Sequence, residues 1–300
     1  MDWDDLRIFL AVARRESLSG AGRVLRIDPA TVGRRIARLE QAMGAALFIK
    51  TPQGYGLTES GLRLMDHAAR TEAAVEGAAY ALMGGDGLTG QIRIGAPDGC
   101  ANYLLPQVLA QICDANPGLE VQIVALPRVF NLSIREADMA IAVSRPVAGR
   151  LTVQKLTDYQ LHLAASQDYI ARHPPISCAA DLKHHRFVGY IADMIFDKEL
   201  DYLTEIGAPT PPALASNSVS VQLNFLRHGA GVGVVHDFAL PAAPELRRII
   251  PAQINLTRAF WLIRHQGDGR VDRLNRFADQ LIKATRIEIL RLESYCTQLG

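Results

Sequence analysis

Arginines carry the first chemistry this sequence offers. Arg34, Arg35 and Arg38 fall, with Thr31, largely opposite Val32, Ile36 and Leu39. Guanidinium forks on one face of a helix suit phosphate oxygens and guanine edges, so the chemistry is nucleic-acid recognition. Ala30 and Thr31 open that segment, Lys50 and Thr51 follow it, and all are expected at the DNA. Catalytic chemistry has nothing to attach to. Gly229-Ala230-Gly231-Val232-Gly233 follows a helical stretch and leads into a strand, the reverse of a dinucleotide loop. His184-His185 lacks further ligands at metal spacing. No nucleophile-elbow motif surrounds any serine. The expectation is no enzyme, no catalytic residues, no metal and no cofactor.

The elements that must position the arginines are short. Trp3, Leu6, Phe9, Leu10 and Ala13 give residues 3–15 one apolar helical face. Ser17 or Ser19 caps a second helix to about Arg26, with Ala21, Val24 and Leu25 inward. Asp28 caps a third helix to about Met43, and Pro29 fits its first turn, where a missing N–H costs nothing. Two short helices joined by a tight turn form a helix-turn-helix. Ile49–Leu57 reads as a two-stranded wing with a glycine-containing tip. A small helical bundle with a solvated arginine face is the alternative. The order of cap, turn, arginine face and wing weighs against it.

The 300 residues suit two or three domains. Hydrophobic residues at 49% and charged residues at 21% fit a globular chain with substantial cores. A net charge of +1 excludes coating nucleic acid by bulk charge, but leaves room for a small local DNA surface. No apolar stretch is long enough to span a bilayer. Met1-Asp2-Trp3-Asp4-Asp5 is acidic and unlike a signal peptide. Cys100, Cys113, Cys178 and Cys296 form no CxxC pair, so a cytoplasmic protein with reduced thiols is expected.

LRIFLAVARRESLSGAGRVLRIDPATVGRRIARLE at 6–40, followed by GAALFIKTPQGYGLTESG at 44–61, resembles the winged helix-turn-helix of LysR-type transcriptional regulators. Leu39-Glu40, Leu47-Phe48 and Leu57-Thr58-Glu59-Ser60-Gly61 stand at the spacings the family fixes. Three positions depart from it. Gly33 stands where the family usually has serine, Pro29 where glutamine or serine is common, and Gly22 where an alanine is paired. Pro29 and Gly33 carry no side chain able to read bases, so Arg34, Arg35 and Arg38 remain. Gly22 and Gly33 are expected to weaken their helices relative to alanine.

Thr58–Gly61 opens a long alanine-rich helix to about Met83, with Leu64, Met65, Ala68, Ala69, Val75, Ala78, Ala79, Leu82 and Met83 on its apolar surface. A second copy would bury that stripe, and so would the chain itself. The resemblance favours a dimerisation helix. Gly84-Gly85-Asp86-Gly87 ends it as a joint. From Gln91 strands and helices alternate, which predicts parallel sheets flanked by helices. Strands are expected at 92–96, 119–126, 138–143, 151–156, 161–165, 186–190, 232–235 and 259–264. Helices are expected at 103–114, 196–205, 218–227 and 270–292 or beyond. The resemblance implies an α/β, periplasmic-binding-protein-like effector domain of two subdomains. Its boundaries are 1–60 for the DNA-binding domain, 61–87 for the dimerisation helix and 91–300 for the effector domain. Subdomain I covers about 91–162 and 265–300, and subdomain II about 163–264.

Ligands of open α/β sheets sit beyond the carboxyl ends of strands, near helix N-termini. Three segments qualify: 96–102 with Asp98, Gly99 and Cys100; 127–131 with Arg128, Phe130 and Asn131; and 216–220 with Asn217, Ser218 and Val219. Arg145 could add a further fork, and His236 follows a strand at the same mouth. Free N–H groups at Asn217–Val219 would receive a carboxylate. Asp98 argues the other way, for an amine or a hydroxyl. Cys100 invites a redox-sensor alternative, which needs a depressed thiol pKa. The expected function is a ligand-responsive DNA-binding transcription regulator sensing a small carboxylate-bearing metabolite. A solute-binding module or an α/β enzyme without DNA function are the rivals. The expected partners are double-stranded DNA, a small-molecule effector, a second copy in a homodimer or homotetramer and, by resemblance, RNA polymerase, with no membrane.

Overall fold

The computed structural model describes residues 2–51, 54–82, 87–125, 137–146, 151–208, 211–265 and 272–298. The chain divides into two compact units, Met1–Asp86 and Gly87–Gly300.

The first unit begins with α1 (Trp3–Arg15), α2 (Leu18–Leu25) and α3 (Pro29–Met43). Ser17 rather than Ser19 caps α2, accepting from Gly20 N at 3.2 Å. Asp28 caps α3, accepting from Ala30 N at 2.8 Å and Thr31 N at 3.3 Å. Phe9, Val12, Ala21, Val32 and Leu39 are fully buried where the three helices meet. Val24, expected inward, is instead exposed. The turn before α3 crosses so close to Gly22 that a Cβ there would lie 2.7 Å from the Ile27 carbonyl oxygen. The expected cost of Gly22 to its helix is thus coupled to a close approach that alanine would disturb.

The wing is an antiparallel pair, β1 (Phe48–Thr51) and β2 (Gly54–Leu57), with its tip at 52–53 outside the described residues. Glu40 pins its base by accepting from Leu47 N at 2.7 Å and Phe48 N at 3.2 Å. Thr58 donates to Ala46 O at 2.7 Å and accepts from Gly61 N at 3.0 Å. A Cβ on Gly61 would sit 2.1 Å from the Leu47 carbonyl oxygen, so only glycine lets the next helix start there. The fixed spacing of these motif residues is therefore the geometry of one junction.

That next helix, α4 (Glu59–Leu82), packs its first half on its own unit. Leu64 and Ala68 are buried in the core of the three helices, and Met65 and Ala69 lie against it. The stripe expected to pair with a second copy is thus partly used within the chain. Val75 is exposed. Side chains at 78, 79 and 82, and residues 83–86, lie outside the described residues.

The second unit is built on a seven-stranded mixed sheet, where alternation predicts parallel ones. β3 (Thr89–Ala96) pairs in parallel with β4 (Gly118–Ala125) and β5 (Met139–Ala142). β6 (Leu151–Ser166) and β11 (Asn255–His265) are long and antiparallel, and β11 is antiparallel to β5. β6 also replaces two expected strands. Phe260 faces Thr157 and Trp261 faces Lys155, so Leu156 is an extra residue that the ladder absorbs as a bulge. The C-terminal part of β6 pairs with β9 (Gly233–His236) and β10 (Leu246–Arg248). β7 (Val188–Gly189) and β8 (Leu214–Ala215) form a parallel pair beside them, joined through a Phe187–Val232 bridge. One lobe therefore gathers around β3–β5 and the other around β7–β10, with β6 running from one to the other.

Several helices differ from expectation. The helix expected at 103–114 is α6 (Leu105–Ala115), and a separate α5 (Asp98–Tyr103) forms in the segment expected as a loop, parted from it at Leu104 with Pro106 in the first turn of α6. A single helix at 196–205 gives way to a 3-10 turn, Lys198–Leu200, and a short α8 (Tyr202–Glu205). α7 (Gln167–Arg172) has no counterpart among the expected elements. α9 (Val219–Arg227) starts on its cap Ser218, and α10 (Asp272–Gln298) buries Phe277, Leu281 and Leu292 in the core. No helix among the described residues is long and apolar enough to cross a membrane.

Candidate functional site: the arginine helix and the interlobe cleft

The arginines of α3 divide between two jobs. Arg35 Nη1 donates to Asp5 Oδ1 at 3.1 Å, and Arg38 Nε donates to Asp5 Oδ2 at 3.2 Å. A second, short bond runs from Arg38 Nη2 to Asp5 Oδ1. Asp5 is buried on α1. Burial pushes its carboxyl up, but the hydrogen bonds and charges of Arg38 and Arg35 outweigh this and hold it below its usual range. Arg35 also reaches Asp4 at 3.5 Å. Arg34 is different: it is exposed, and it donates to Thr31 Oγ1 at 3.0 Å inside the same helix. Ala30 is exposed and Thr31 half-buried at the start of α3. On the wing Lys50 is exposed, with its Nζ 6.0 Å from the Tyr55 ring centre, and Thr51 donates to Gly54 O at 3.3 Å. Sequence reasoning misses Asp4 and Asp5 as partners, because their signal is a contact across some thirty residues of chain.

Between the lobes, α5 and α9 meet end to end. Asp98 Oδ2 accepts from Ser220 N at 2.9 Å, Ser218 Oγ at 3.0 Å and Ser220 Oγ at 3.2 Å. Asn102 Nδ2 donates to Asp98 Oδ1 at 3.0 Å. The helix start expected to receive a carboxylate therefore already holds one, supplied by the chain. Asn217 and Val219 flank that contact.

Around it lies a small chamber of about 20 Å³ lined by Asp98, Gly99, Cys100, Asn217, Val219 and His236. All six are legible as candidates in the sequence. The apolar walls, Val143, Tyr190, Phe196, Leu200 and Phe260, are not, because nothing in an isolated apolar residue says which cavity it faces. Tyr190 and Leu200 also line a neighbouring cavity of about 210 Å³, together with Asp201 and Tyr202. Ser218 joins the chamber through Asp98. Arg145 is exposed with its guanidinium 5.6 Å from the Trp261 ring centre, and is not among the residues lining the chamber. Arg128, Phe130 and Asn131 lie outside the described residues.

His236 is buried and stacked on Tyr159, ring centres 5.4 Å apart. Its Nδ1 has no hydrogen-bond partner among the described residues. Burial pushes its pKa down to about 4, against the opposing pull of Asp237 and Asp98, so the ring is neutral. Cys100 is fully buried, and burial pushes its thiol far above the ordinary range. That is the opposite of the depressed thiol a redox sensor needs. Among the described residues no group of three or more His, Cys, Asp or Glu is placed to hold a metal ion.

A winged helix-turn-helix and a two-lobed domain with an interlobe chamber define a DNA-binding head carried by a ligand-binding type of module. Residues 3–62 match the bacterial regulatory helix-turn-helix protein, lysR family, and residues 85–286 match the LysR substrate binding domain. The chain belongs to the LysR family of transcriptional regulators. It is 25% identical to the HTH-type transcriptional regulator PtxR of Pseudomonas aeruginosa over 84% of this chain and 82% of that one. It is 31% identical to the HTH-type transcriptional regulator DmlR of Escherichia coli over 57% and 56% of the two chains. Among solved structures, ArgP from Mycobacterium tuberculosis is similar in fold, with a TM-score of 0.67 at 22% identity, over 95% of this chain and 97% of that one. Full-length LysG from Corynebacterium glutamicum with bound effector Arg gives a TM-score of 0.62 at 19% identity, over 95% and 98%. LysR regulators bind DNA and small-molecule effectors and form oligomers, and this chain is an effector-responsive, DNA-binding regulator of that type.

Proposed function

We propose that this regulator binds its operator with α3 in the major groove and is switched by a small molecule held between its two lobes. The observation that carries the first half is Arg34. Its hydrogen bond to Thr31 stays inside α3, while Arg35 and Arg38 also brace α1. Ala30 and Thr31 reach the base edges at the start of the helix, and Arg35 and Arg38 keep exposed surface for phosphates. Lys50 and Thr51 on the wing lie beside the backbone. The second half is supported by the chamber at Asp98 and His236, and by the similar protein LysG, solved with bound effector Arg. An effector that prefers one cleft geometry shifts the equilibrium between arrangements of the DNA-binding heads. The exposed Val75 on α4 supports pairing with a second copy, as a homodimer or homotetramer. The protein works in the cytoplasm, with RNA polymerase as its functional partner and without catalysis of its own. A mobility-shift titration of a promoter fragment, with and without a metabolite panel, tests the reading. Saturable, sequence-selective binding that a metabolite alters is the expected result. Binding that is indifferent to sequence would remove the operator assignment.

A further inference from the structure

We propose that Asp98 sets the charge class of the effector: the cleft admits a cationic or uncharged hydrogen-bond donor with an apolar body and refuses carboxylates. The proposal rests on reading the cleft as the effector site. A helix N-terminus attracts anions through its free N–H groups. At α9 that attraction is already satisfied from within, because Asp98 Oδ2 takes the Ser220 N–H and two serine hydroxyls. A carboxylate ligand must either displace Asp98 or lie against it, and like charges sharing a site disfavour each other. The rest of the chamber does not offset this. None of the described residues lining it is Lys or Arg. His236 lines the chamber, 5% exposed and with its Nδ1 unpartnered among the described residues, and its neutral ring brings no positive charge. Asp98 is an acceptor, so the polar end of a ligand must donate. The walls contributed by Tyr190, Phe196 and Phe260 suit an apolar body, and aromatic faces favour a neighbouring cation. At about 20 Å³ the chamber has room for about one water, so a larger ligand needs its walls to move apart, and the Asp98–Ser220 contact joins α5 to α9 beside it. Asp98 thus both joins the two helices across the cleft and selects what binds between them.

Benzylamine, benzyl alcohol and benzoate share a ring and differ in the charge of the head group, which makes them a matched set of probes. Thermal melting of the full chain reads their binding, because a ligand of the folded state raises Tm. The wild type is expected to show a saturable rise with benzylamine, a smaller one with benzyl alcohol and none with benzoate. Asp98→Ser frees the amide of Ser220, and there benzoate is expected to raise Tm most. Asp98→Asn keeps the shape and the hydrogen-bond acceptor without the charge, and is expected to lose the benzylamine preference even if Asp98→Ser does not fold. A rise with benzoate in the wild type, no saturable rise with benzylamine, or a preference that survives in Asp98→Asn would each overturn the proposal. Operator binding by the wild-type chain reports separately on the regulator reading.

Discussion

Arg35 Nη1 lies 3.1 Å from Asp5 Oδ1, tying the exposed edge of α3 to a buried carboxylate on α1. Arg38 grips the same carboxylate from the next turn. The angle at which α3 is presented is therefore held by charge as well as by the Val32, Ile36 and Leu39 stripe.

Acid should loosen this clamp. Asp5 has a folded-state pKa below its ordinary value of about 4, so its contribution to stability is complete above that value. It fades as pH falls through the depressed folded value. The chain has two tryptophans, Trp3 and Trp261, so Trp3 fluorescence in a Trp261→Phe background reports on the head. Asp5→Asn is expected to lower the melting temperature of that signal at neutral pH and to flatten its decline below about pH 4. An unchanged acid profile would remove the clamp.

Arg34→Ala is expected to leave melting unchanged and to weaken operator binding by about 1–3 kcal/mol if it reads a base. Arg35→Ala is expected to lower both stability and affinity, since it acts through Asp5 as well. Fluorescence anisotropy on a labelled operator, run beside thermal melting, separates the two. Equal behaviour of the two variants would contradict the division of labour within α3.

Glu40→Ala removes the acceptor for the backbone N–H groups of Leu47 and Phe48. Leaving such donors unpaired costs about 1–3 kcal/mol where they are buried. The wing should become sensitive to limited proteolysis, and Glu40→Gln, which keeps a side-chain oxygen, should restore protection. Loss of protection in both variants would point to the charge instead.

His236 titrates at about 4 in the folded chain against an ordinary value of about 6.5. The stability of the second unit should be constant above about pH 6.5. It should fall as the pH drops toward 4, because only the unfolded chain takes up the proton in that window. The full loss is roughly 3 kcal/mol at most, since each tenfold change in proton affinity is worth about 1.4 kcal/mol. Trp261 fluorescence during denaturation in a Trp3→Phe background measures it, and His236→Gln should reduce the slope in that range, leaving the part due to His185, which burial also holds below its ordinary value.

Cys100 should not react. A native-state titration with Ellman's reagent is expected to modify Cys113 and Cys178, which are half-buried, before Cys100 or Cys296, which are buried. Rapid labelling of Cys100, read by mass spectrometry, would reopen the redox alternative.

What was legible in the sequence is what is decided within a few residues of chain. The cap Asp28, the wing strands and the buried stripe of α3 follow from local hydrogen bonding and periodicity, and each appears where those rules put it. The segment with Asp98, Gly99 and Cys100, expected as a loop after a strand, does follow β3 but already forms α5. Tertiary structure decided the partners. Asp5 meets Arg35 across thirty residues, and Asp98 meets Ser220 across 122. The mixed sheet depends on β11 returning beside β6, and alternation of elements carries no record of strand direction. A carboxylate beside a helix start reads the same in sequence whether it repels a ligand or fills the ligand's place. Only folding, by bringing α5 against α9, made Asp98 the occupant.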